Sequence, residues 1–132
     1  MKRFGLSAEE RIKSRKDFDE IFSSGKTIFS ADKKIRAIFV VVENSSKPCV
    51  KIAAAVNKKA GHAVWRNRVK RLLKEAYRYN KEIVWQVVLK KNSILKIVFL
   101  PNNISEKRNK KIFLTEVMPA MIDILSKLRD RT

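Results

Sequence analysis

The chain has 132 residues, enough for one domain with a real core and too few for two comfortable ones. Hydrophobic residues make up 45%, which excludes a compositionally disordered chain, yet 31 Lys and Arg against 13 Asp and Glu leave a net charge of +18. Such a surplus repels itself and calls for a polyanion, nucleic acid first and an anionic membrane surface second.

The membrane alternative is weak, because apolar runs such as Ile38–Val42 are far too short to cross a bilayer. The start, MKRFGLSAEER, carries basic residues without an apolar core, so no signal peptide is expected. Cys49 is the single cysteine; it excludes an intrachain disulfide, reads as an inert strand residue beside Pro48, and fits a reducing cytoplasm.

Ser7 with Glu10 has the capping-box spacing, and Ser14 with Asp17 approximates it. Phe18, Ile21 and Phe22 then follow at i, i+3, i+4, one stripe of a short helix, with Gly25 as a left-handed stop. Asp17, Asp19 and Glu20 suit the positive N-terminal end of that helix better than a catalytic cluster. Thr27–Phe29 opens an extended segment, and Ile35–Glu43 is rich in β-branched residues. Asn44–Pro48 reads as a turn and Val50–Val56 alternates, which together predict an antiparallel hairpin.

A helix is predicted over His62–Tyr79, and a strand over Ile94–Leu100, halted by Pro101. Ser105–Arg129 is helical by periodicity, with Phe113, Val117, Met121, Ile124, Leu125 and Leu128 on one side. Pro119 should kink or divide it. With no repeat and no linker, residues 1–132 form one domain, with 1–13 and 130–132 expected to be flexible. The order α-β-β-β-α-β-α defines an α+β class, a small sandwich around a mostly antiparallel central sheet. The helix between the last two strands predicts a β-α-β crossover.

Between Lys58 and Lys81 stand nine basic residues and one acid, Glu75. At about 100° per residue, Arg66, Lys70, Lys74, Asn67, Arg78 and Arg71 fall within an arc of roughly 140°. Trp65, Val69, Leu72, Leu73 and Ala76 take the opposite side, and Arg68 points toward the edge of the apolar face. An ordinary exposed helix face interleaves Glu with Lys at i,i+4; this one stacks like charge on like charge. That spacing destabilises a helix standing alone and favours an anionic partner. Arg offers a fork matched to two phosphate oxygens, whereas Lys is a mobile point charge.

The stretch NKKAGHAVWRNRVKRLLKEAYR, Asn57–Arg78, resembles the signature of the bacterial ribonuclease P protein family. Arg66-Asn67-Arg68 followed by Lys70-Arg71-Leu72 matches its RNR motif, and Lys58-Lys59 with Gly61 matches the preceding KK-x-G turn. Asp17-Phe18 and Ile21-Phe22 resemble its first helix. The resemblance implies a left-handed β-α-β crossover, as in certain ribosomal-protein domains. It also implies a protein that does not itself cut RNA. Such a subunit binds a catalytic RNA through Lys58, Lys59, Arg66, Asn67, Arg68, Lys70, Arg71, Lys74 and Arg78. It receives the single-stranded 5′ leader of precursor tRNA in a cleft lined by Phe18 and Phe22, with Phe39 as a third candidate. Magnesium would be held mainly by the RNA, with no obligatory protein partner. Unpaired bases stack on aromatic faces without regard to sequence, which suits an enzyme serving every precursor.

Ala53, Ala55 and Asn57 stand where the family favours Gly, Ser and Ser. His62 stands where Asn is frequent, and as the sole histidine it reads as a helix cap or phosphate contact. Two alternatives belong to other classes. A ribosomal or general RNA-binding protein would share the fold but not the 58–78 signature. A protein nuclease would need converging carboxylates or a histidine acid–base pair, and the sequence offers neither.

Overall fold

The fold is taken from a computed structural model, in which residues 10–131 are described, so Ser7 of the first capping signal lies outside the described residues. Ser14 begins the first helix as its side chain dictates: its Oγ accepts the Lys16 amide at 3.1 Å, and α1 runs over Arg15–Ser24. Gly25 ends α1, but in an extended conformation (φ −72°, ψ 154°) rather than the expected left-handed one. Its requirement is steric. A Cβ there would lie 2.3 Å from the Ile21 carbonyl oxygen and 2.7 Å from Cγ2 of Ile38.

Four strands follow, β1 (Lys26–Phe29), β2 (Ile35–Val42), β3 (Cys49–Ala54) and β4 (Ile94–Pro101), in the spatial order β1-β2-β4-β3. The hairpin predicted between β2 and β3 does not form. β4 lies between them, antiparallel to β2 and parallel to β3, while β1 and β2 make the local antiparallel pair. The reason lies in burial: β4 is buried on both faces, as a central strand must be, whereas alternating β3 tolerates an edge. Two of the three pairings are antiparallel, and the β3–β4 connection is the expected crossover. The outer edge of β3 is partly covered where the Ile12 amide donates to the Ile52 carbonyl at 2.9 Å.

Three helices cover one face of the sheet: α2 (Ala63–Asn80), α3 (Glu82–Lys90) and α4 (Leu114–Arg131). The sequence reading ended at Tyr79 and missed α3, which Lys81 joins to α2 in helical conformation. The reading of one long tail helix is also corrected. Residues 105–111 form a loop, Phe113 is half exposed, and α4 runs unbroken through Pro119. Pro119 and Thr115 are both exposed, so the carbonyl that loses its donor faces solvent.

Alternation along β2 divides the core. Ala37 and Phe39 join the cluster beneath α2, α3 and α4, whereas Ile38 joins Ile12, Ile21, Ala53, Val98 and Leu100 beneath α1. Each such side chain contributes about 1.5–3 kcal/mol when fully buried. Glu10 and Ile12, in the stretch expected to be flexible, are buried, and Asp130 and Arg131 close α4. Lys81 Nζ meets Glu10 Oε2 at 3.2 Å with both side chains almost fully enclosed, fastening the N-terminal segment to the α2–α3 joint.

Candidate nucleic-acid interface

Helix α2 buries Trp65, Val69, Leu72, Leu73, Ala76 and Tyr77. The first five are the predicted apolar side. Tyr77 adds to them, because its hydroxyl accepts the Trp85 indole N–H at 3.0 Å from α3, and burial raises its pKa. Arg66 and Lys70 are half-buried. Asn67, Arg71 and Lys74 are exposed, and Arg78 is half-buried. Among the described residues no ion pair reaches Lys58, Lys59, Arg66, Lys70, Arg71, Lys74 or Arg78. Nε of Arg66 and of Arg78 is buried without a hydrogen-bond partner, a cost that the free protein carries.

Arg68 differs from its neighbours. Its Nε and Nη2 donate to the Ile112 carbonyl at 3.2 and 2.9 Å, so much of the guanidinium serves the fold. His62 precedes α2 but makes no side-chain cap. Instead its Nδ1 lies 2.8 Å from Glu106 Oε1, which also accepts the His62 amide. Those two hydrogen bonds hold the Glu106 carboxyl below its ordinary pKa. Gly61 is extended (φ 172°), and its lack of a Cβ matters for space: Trp65 Cε3 would lie 2.6 Å away and Glu106 Cβ 2.8 Å away.

On the other face of the sheet, Phe18 packs against the cluster under α1, and Phe22 is 51% exposed. A hollow of about 200 Å³ lies between Arg11–Lys13, Phe18, Ile52–Ala54 and Lys74, so the ridge borders it through Lys74. Phe39 does not join this cleft. It is 5% exposed and packs beneath the three helices, because a strand turns successive side chains to opposite faces. Phe39 instead borders a different hollow of about 580 Å³ with Ser24, Lys26, Glu43 and Arg131.

The sequence model of the Ribonuclease P family matches residues 6–122. The chain belongs to the Ribonuclease P family. The ribonuclease P protein component of Lactococcus lactis strain IL1403 is 48% identical over 67 residues, covering 50% of this chain and 52% of that protein. That of Dictyoglomus turgidum is 40% identical over 87 residues, covering 63% and 69%. The chain thus spans about half the length of the Lactococcus relatives it matches. Its fold is similar to that of the ribonuclease P protein from Thermotoga maritima (TM-score 0.68, 23% identity, 89% of this chain and 96% of the other). The Staphylococcus aureus ribonuclease P protein is comparable (TM-score 0.65, 20% identity, 90% and 94%).

Beside these ribonuclease P signature residues, the structure places three groups that the sequence reading missed. Arg11 and Lys13 line the cleft. Lys51 and Lys96 stand side by side on β3 and β4, and Lys96 is held by Asp17 of α1 at 3.0 Å and Glu20 at 4.0 Å. Asp17 therefore ties α1 to the sheet as well as favouring its own helix. The third group is the basic loop 105–111. Among the described residues no three His, Cys, Asp or Glu side chains gather as a metal site.

Proposed function

We propose that this chain is the protein component of a ribonuclease P, binding the catalytic RNA of that enzyme and the 5′ leader of precursor tRNA. The observation that carries the reading is the α2 face, where Asn67, Arg71 and Lys74 are open and, among the described residues, no acid pairs with any ridge cation. A folded RNA rewards such a face through counterion release, each contact adding about 0.7–0.9 to the slope of log affinity against log salt.

The cleft between α1 and β3 would take the unpaired leader. Phe18 and the open ring of Phe22 offer stacking faces; Arg11, Lys13 and Lys74 offer phosphate contacts. Lys74 borders both surfaces, which lets one protein hold the substrate's leader next to the RNA that cuts it. Magnesium belongs to the RNA in this reading, and this chain's part is to bind and orient. Cytoplasmic location and precursor tRNA as substrate follow from the same assignment.

The test is cleavage of precursor tRNA by ribonuclease P RNA at low magnesium, with and without the protein. Stimulation is expected, together with loss of most of it in Arg71→Ala/Lys74→Ala. RNA binding without stimulation would point instead to a general RNA-binding protein of this fold.

A further inference from the structure

The loop between β4 and α4 holds Lys107, Arg108, Lys110 and Lys111, all exposed, within five consecutive residues. From these observations we infer that it is a second contact surface for the catalytic RNA, continuous with the start of α2; the inference rests on the function proposed above. The loop is not a free tail. Ile104 and Ile112 at its two ends are buried at 8% and 1% exposure. Between them the Glu106 amide donates to the Ala60 carbonyl at 2.7 Å, and the Trp65 indole N–H donates to the Asn109 carbonyl at 3.0 Å. Arg68 closes the last residue of the segment through the Ile112 carbonyl.

These ties come from α2 itself or from the turn before it, so the loop is docked beside Lys58 and Lys59. The geometry also sorts the charges. Glu106 is the loop's one acid, and its carboxylate is taken up by the amide and ring of His62 at the start of α2. The four cations are exposed and, among the described residues, have no ion pair, as is true of Lys58 and Lys59. Six like charges fixed at one end of the ridge repel each other unless phosphates lie against them. α1 and the leader cleft lie across the sheet from the helical layer that carries this loop, which assigns it to the catalytic RNA rather than to the leader.

The experiment titrates ribonuclease P RNA with full-length protein across a salt series. It compares wild type, Arg71→Ala/Lys74→Ala, and the loop variant Lys107→Ser/Arg108→Ser/Lys110→Ser/Lys111→Ser. The loop variant should bind at least tenfold more weakly, with a slope lower by about 2–3.6 for three or four lost contacts. Its preference for precursor over mature tRNA in the assembled enzyme should be unchanged. Gly61→Ala keeps every charge but drives a methyl group into Trp65 and Glu106; with its folding checked by circular dichroism, it should also weaken RNA binding. If the ridge variant weakens binding and the loop variant does not, the loop contact is refuted while the function stands. A loss confined to precursor tRNA would likewise refute it. If wild type does not bind the RNA at all, the proposed function itself fails.

Discussion

Lys74 and Lys81 belong to one basic stretch and sit two turns apart, yet the protein treats them in opposite ways. Lys81 is 1% exposed and locked to Glu10; Lys74 is open, and among the described residues no ion pair reaches it. Lys96 resembles Lys81, held by Asp17 and Glu20 where α1 crosses the sheet. In a chain with 13 acids against 31 Lys and Arg, where the acids go is informative. Glu10, Asp17 and Glu20 pair with Lys81 and Lys96, cations that hold elements together, whereas among the described residues no ion pair reaches the α2 ridge or the loop cations beside it. Charge that stabilises the fold is paired; charge that awaits a partner is not.

The sharpest way to break this contrast is to change one member of each kind. Lys81→Met keeps the apolar stem but leaves the Glu10 carboxylate buried without its cation. It should cost about 3–5 kcal/mol in urea unfolding. Arg71→Ala/Lys74→Ala should stay within about 0.5 kcal/mol of wild type per site in the same measurement. Equal losses would show that the ridge serves the fold, and the distinction would fall.

A smaller effect sharpens the other side of the sheet. Phe18 is half-buried against the α1 cluster and also lines the cleft, so its two roles must be separated. Phe18→Ala should weaken binding of leader-bearing precursor by about 1–3 kcal/mol in the assembled enzyme, with mature tRNA almost unaffected. Equal weakening of both would make Phe18 a core residue alone.

The ridge was legible because helical periodicity is local: the positions of Trp65, Val69, Leu72, Leu73 and Ala76 fix where Arg71 and Lys74 point. The first helix was legible for the same reason, down to the Ser14 cap. What failed was non-local. β4 inserts between β2 and β3 from forty residues away, so turn residues at 44–48 and alternation at 50–56 mimic a hairpin that the sheet order forbids. Phe39 was assigned to the cleft by type, whereas its face depends on register, and Ile38 holds the position beside α1. The fate of Lys81 could not be read because its partner lies 71 residues away. The loop cations were visible as a KRNKK run, but periodicity absorbed them into a helix that begins only at Leu114.

The docked loop supplies the mildest test of the contrast, because its one acid is paired and its cations are not. Hydrogen bonds from the His62 amide and ring hold Glu106 below its ordinary value of 4.5, with the charges of His62 and Lys110 adding to the effect. A lowered acid contributes fully above its unfolded pKa, and the contribution disappears as pH falls through the folded one. Docking of the loop should therefore loosen as pH falls below about 4.5. The Trp65 indole N–H, which donates to the Asn109 carbonyl, reports this directly as an NMR resonance. Other carboxylates titrate nearby in pH, so the comparison is with Glu106→Gln, in which that step of the resonance should vanish. If the same step persists in Glu106→Gln, the Glu106 carboxylate does not hold the loop, and the sorting of charge there has another cause.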